Sequence, residues 1–184
     1  MERNKKQLLP MILVFTIIGA AYSCRMLAML DIGGAWMSYT RAALYLLLFS
    51  LWGYSLDRRI IQTQALHCLR LTAALMLVWL ILRTLKYEFV TDLTVARYIW
   101  YLYYLPMLFI PLLGVYVALS LGKSEEYRLT EKAGFLAAVP GILFLLVITN
   151  DLHQQVFAFS SGVPGVPDNY DYSHGIFYFC SMGW

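Results

Sequence analysis

The chain has 184 residues, 60% of them hydrophobic, 16% aromatic and only 14% charged, with a mean hydropathy of +0.63. That is too apolar for an ordinary soluble domain, and the charges fall between long apolar runs, the pattern of an all-α polytopic transmembrane bundle. The net charge of +3 is small and is accounted for by membrane orientation, so no nucleic-acid partner is implied.

In chain order, the first apolar run covers residues 8–30, behind Arg3, Lys5 and Lys6. It stays apolar beyond Gly19-Ala20-Ala21, so it reads as an uncleaved span and not as a signal peptide. Asp31-Ile32-Gly33-Gly34 forms a tight turn into a second span at 35–56. The third span, 65–85, is the weakest. Only the 12 residues Leu71 to Leu82 separate Arg70 from Arg83, about 18 Å of helix against an apolar core of roughly 30 Å, and snorkelling of either arginine to an interface leaves a span at 65–85. The fourth span, 98–121, opens on Tyr98, Trp100, Tyr101, Tyr103 and Tyr104, an interfacial aromatic belt. A fifth runs over 133–148, and a sixth starts within 174–184. The expectation is about five complete spans plus the start of a sixth, a membrane domain over 1–184 that is incomplete at its C-terminus.

The fifth span ends in Thr149-Asn150-Asp151-Leu152-His153, where side chains that bond to local backbone should stop the helix. Residues 150–173 then read as an external loop, an ordered cap built as a short β-hairpin. Val156, Phe157 and Phe159 would face Tyr170 and Tyr172 across the Gly162–Pro167 turn. The alternative is an interfacial segment whose aromatics lie among lipid headgroups. His153 is expected to face the cap with its ring bonded to a neighbouring polar group.

Lys and Arg counts set the orientation. The connections 1–7, 57–70 and 122–132 hold three each, whereas 31–34 and 150–173 hold none and 83–97 holds Arg83, Lys86 and Arg97. Nine against three puts the N-terminus in the cytoplasm and 150–173 outside the cell membrane.

Pro106 and Pro111 interrupt the fourth span and Pro140 the fifth. Each frees a carbonyl and bends its helix, as a hinge or as plain packing. Arg25 and Arg41 lie near the external ends of adjacent spans and Arg97 starts the fourth on the same side. They either snorkel to headgroups or form a basic cluster for an anionic ligand, or pair with an acidic residue such as Asp31, Asp92 or Asp151. Asp151, His153 and His174 lack the dense spacing of a metal site, so no metal and no cofactor is expected. Glu125-Glu126 sit among charges in a solvated connector, and no hydrolase elbow or nucleotide loop occurs, so no catalytic residue is assigned.

From Arg97 to the end the chain resembles the N-terminal seven-transmembrane sensor region of bacterial histidine kinases. The matching features are Tyr98–Tyr104 with Trp100, the Leu105-Pro106 and Ile110-Pro111 kinks, the short charged loop, Thr149-Asn150-Asp151-Leu152-His153, and Tyr170-Asp171-Tyr172. The resemblance implies a membrane-embedded input module whose kinase domains would lie in residues beyond this chain. An even span count is needed to join a cytoplasmic N-terminus to a cytoplasmic output domain, which points to eight spans in place of seven.

Signal-sensing candidates are Arg25, Arg41, Arg97, Asn150, Asp151 and His153, with Pro106, Pro111 and Pro140 as hinges. The partners expected are the lipid bilayer, an extracellular or membrane-borne signal and a C-terminal output domain, with a homodimer left open. The alternative is a transporter fragment or another multi-pass membrane protein.

Overall fold

A computed structural model describes residues 2–30, 32–56, 60, 62–124, 127, 131–159 and 172–184. The chain divides into two compact units, 1–55 and 56–184.

The N-terminal unit consists of α1 (Glu2–Met29) and α2 (Gly34–Leu56, whose last residue is assigned to the second unit). The turn between them closes on Leu27, whose carbonyl accepts from Leu30 and Ile32 N–H at 3.1 and 3.0 Å. Gly33 and Gly34 leave it at φ +87° and +53°, a left-handed pair that side chains with a Cβ resist. Within α1, Ile12–Met29 is long and apolar enough to cross a membrane.

The second unit begins with α3 (Thr63–Glu88). Its 26 residues form one uninterrupted candidate span with Arg70 and Arg83 exposed on it, so the short gap between the arginines did not shorten the helix. Next come α4 (Leu93–Leu102) and α5 (Tyr104–Ser120), together a 28-residue candidate span. It starts five residues earlier than the aromatic belt suggests, because Asp92 caps α4: its Oδ1 accepts the Val95 N–H at 2.9 Å. The ladder breaks at Tyr103 and restarts at Tyr104. Pro106 therefore occupies the first turn of α5, where a missing N–H costs little. Of Pro106, Pro111 and Pro140, Pro111 alone lies in a helix interior.

The fifth expected span is not one helix. Glu131–Gly134 forms α6, Phe135–Ala137 a 3-10 turn and Ala138–Ile148 α7. Pro140 cannot donate to the Leu136 carbonyl, and the tighter turn sits over that gap. The Ala133 carbonyl is taken instead by the Tyr116 hydroxyl at 2.7 Å. Phe135–Ile148 is apolar but falls in the shorter class, and α2 does not join the spanning class either. Among the described residues three helices, not five, are long and apolar enough to cross a membrane.

Beyond α7, Thr149 breaks the helix, but one more turn follows, α8 (Asn150–His153), before Gln154 at φ +51° ends it. The polar cluster therefore redirects the helix before stopping it. Strands β1 (Phe157–Phe159) and β2 (Tyr172–His174) pair antiparallel, Phe157 with His174, Ala158 with Ser173 and Phe159 with Tyr172. The predicted Gly162–Pro167 turn and Tyr170 lie outside the described residues. Gly175 alone separates β2 from α9 (Ile176–Gly183), which packs on α7. Beyond α9, the Trp184 indole donates to the Leu108 carbonyl, in the turn that Pro111 interrupts, at 2.9 Å.

The core collects one face of α4–α5, with Tyr101, Tyr104 and Leu108 at helical spacing, against Leu143 and Val147 of α7 and against Val156, Phe157 and Phe159. Phe157 is fully buried, its ring 4.5 Å from Trp100 and 6.2 Å from Tyr101.

The joint at Gly175 is equally tight. Its N–H donates to the Val156 carbonyl at 2.9 Å, and a Cβ there would overlap the Gln155 carbonyl. Gly175→Ala should therefore lower the thermal midpoint and speed amide exchange in β1 and β2. Exposed Gly114, with open space around it, supplies the control: Gly114→Ala should do neither.

Candidate functional site

At the start of α4, Asp92 sets the helix register that carries Arg97 and Tyr101, one turn apart, onto the core face. At the end of α7, the extra turn α8 brings Asn150 and Asp151 to the same place. The result is a buried polar network within the second unit. Arg97, 3% exposed, donates from Nη2 to Asp151 Oδ2 at 2.8 Å, and the Tyr101 hydroxyl donates to Asp151 Oδ1 at 2.8 Å. Asn150 Nδ2 donates to the Tyr101 oxygen at 3.3 Å and to the Phe157 carbonyl at 2.9 Å. Asn150 Oδ1 accepts both the Val156 and the Phe157 N–H at 3.0 Å.

One asparagine thus satisfies three backbone groups of the chain entering β1, groups that would otherwise be buried without partners. The hairpin is held to α8 by polar contacts, which Asn150 passes on to Tyr101 of α4, and to Trp100, Tyr101 and Tyr104 by ring contacts. Its partner Tyr172 lies 5.3 Å from Trp100. Lys86 of α3 places its ammonium 5.8 Å from the Trp100 ring, so a second cation borders the cluster.

His153 does something else. Its Nδ1 accepts the Gln155 N–H at 3.0 Å, which puts the proton on Nε2, facing the Leu146 carbonyl at 3.1 Å. The ring closes the end of α7, where carbonyls lack helical partners. Of the basic candidates, Arg97 is in this network, while Arg25 and Arg41 belong to the N-terminal unit, exposed and half-buried respectively. Pro106 and Pro140 are buried and Pro111 is exposed.

Tyr101 and Phe157 were absent from the sequence-based site. The spacing Arg97, Tyr101, Tyr104, Leu108 carried the signal for Tyr101. The aromatic belt reading had assigned those tyrosines to the lipid interface, whereas two of them are core.

These features define a multi-pass helical membrane protein with a small hairpin anchored over a buried ion pair. A family model, the N-terminal seven-transmembrane region of histidine kinase, matches residues 40–184, and the chain belongs to that family. No curated protein and no solved structure matches it.

Proposed function

We propose that the chain is the input module of a sensor histidine kinase, with its catalytic domains outside these residues. In this reading 1–184 is one sensor domain of about five spans plus the start of a sixth, in the cytoplasmic membrane. Its N-terminus is cytoplasmic and the segment 150–173 is an external cap. The observation that carries it is the network of Arg97, Asp151, Tyr101 and Asn150, which fastens the first strand of the hairpin through a handful of polar contacts and can hold it on its partner strand or let it part from it. Gly175 joins that hairpin rigidly to α9, so a change at the cap is felt along α9, and at Trp184 and the Pro111 turn of α5. A signal would then bias two pre-existing packings and pass the bias to an output domain.

The test is a lock on the hairpin. Ala158 and Ser173 face one another across the strands, so Ala158→Cys with Ser173→Cys can bridge them. Made in a background lacking Cys24, Cys68 and Cys180 and followed by a histidine-kinase output domain, the oxidised pair should fix autophosphorylation at one level. Reduction should restore the level of the unbridged protein. Equal phosphorylation in both states would remove the sensor reading.

Orientation has its own measurement. Leu152, 87% exposed in α8, should take an impermeant maleimide on intact cells as Leu152→Cys, and Ser124→Cys should react only after lysis. The reverse pattern would place the cap in the cytoplasm.

A further inference from the structure

Resting on the sensor reading, the same network also points to the chemistry of the signal. A guanidinium carries five N–H groups. Only Nη2 of Arg97 has an acceptor, Asp151, while Nε and Nη1 are buried without one among the described residues. A buried charged donor without an acceptor is costly, so a guest offering oxygens to Arg97 is favoured there.

The guest's charge is constrained by Asp151. That carboxylate is 16% exposed and stands next to Arg97, so a plain anion would meet a like charge as well as an opposite one. A guest that also carries a positive group turns that repulsion into a second ion pair. Asp151 keeps lone pairs beyond those used by Arg97 and Tyr101, and the rings of Tyr98, Trp100 and Tyr101 near the pair can face an ammonium. We propose that Arg97 and Asp151 recognise a small zwitterion of the α-amino-acid type. Its carboxylate takes the open N–H groups of Arg97, and its ammonium takes Asp151. Binding exchanges one internal ion pair for two to the guest. It also draws Asp151 away from the Tyr101 hydroxyl, loosening the contact next to the one through which Asn150 holds the hairpin.

The experiment is thermal unfolding of the intact chain in nanodiscs, with each standard L-amino acid present at about 10 mM, since a ligand bound only to the folded state raises its midpoint. At least one amino acid should raise it. The carboxylic acid lacking that amine, and the amine lacking that carboxylate, should each bind at least tenfold more weakly. Arg97→Gln should weaken the amino acid and the carboxylic acid together, and Asp151→Asn the amino acid and the amine together. The comparison among the three ligands on the unaltered chain decides the matter even if a variant fails to fold. No shift with any amino acid, or equal affinity for the acid alone, overturns the proposal. The hairpin lock uses no ligand. An output that responds to the lock, without any amino-acid shift, would therefore remove the ligand class and leave the sensor reading in place.

Discussion

Asn150→Ala should release the hairpin from the helices while leaving α3 to α5 folded. The side chain is fully buried and makes three bonds to the backbone at Val156 and Phe157. Alanine leaves two N–H groups and one carbonyl with no partner in a place water does not easily reach. Each orphaned group costs about 1–3 kcal/mol, and relaxation of the freed strand recovers part of that, so a net loss of about 3 kcal/mol is expected. At 1.4 kcal/mol per factor of ten, amide protection at 156–159 and 172–174 should fall about a hundredfold. Exchange on α3 should stay as it was, because its contacts are with α4 and α5. Asn150→Asp separates the roles. It keeps acceptors for Val156 and Phe157 N–H but loses the donor to the Phe157 carbonyl and sets a second carboxylate beside Asp151. Hydrogen exchange by mass spectrometry reads both variants, and unchanged protection in Asn150→Ala would mean that the ring contacts alone hold the cap.

How much of this was written in the sequence depends on the length scale of each signal. The apolar runs marked α1, α2, α3 and α4–α5 because long stretches of Leu, Ile and Val have few other destinations. The alternating Phe157 and Phe159, set against Tyr172, marked a hairpin whose strands pair in register. What failed was the continuity of elements. Pro140 was read as a kink in one span, yet it restarts a helix behind a 3-10 turn, a distinction set by whether the Leu136 and Ala133 carbonyls find other partners. Thr149-Asn150-Asp151 was read as a stop for local reasons, whereas Asn150 acts at a distance of six and seven residues on a strand that the helix end must face. Arg97 and Asp151 were both candidates, and the sequence offered Asp31 and Asp92 as equal partners. Asp92 is committed to capping α4, and only packing of α4 against α7 selects Asp151.

Removing one side of the Arg97–Asp151 pair should cost more than removing the pair. Asp151→Ala leaves a guanidinium, 3% exposed, with no counter-charge, and takes the acceptor from the Tyr101 hydroxyl. Breaking a buried pair in this way costs about 3–5 kcal/mol, because the remaining charge stays desolvated. Leu152→Ala, at an 87% exposed neighbour, should change stability by less than about 0.5 kcal/mol and serves as the reference. The triple variant Arg97→Met, Tyr101→Phe, Asp151→Leu replaces the charges and the hydroxyl between them by apolar groups of related size. Asn150 keeps its bonds to Val156 and Phe157 in that background. Its stability should return to within about 1–2 kcal/mol of the unaltered chain or exceed it, since hydrophobic replacement of a whole buried pair is often neutral or better. Equilibrium unfolding in mixed micelles gives the three values on one scale. A triple variant no more stable than Asp151→Ala would show that the pair organises the packing of α4 on α7 beyond its charges. Recovery would instead show that the fold does not need the pair, which leaves its charges free to serve binding. Followed by a histidine-kinase output domain, the stable triple variant should then hold autophosphorylation at one level, unresponsive to any amino acid that shifts the unaltered protein.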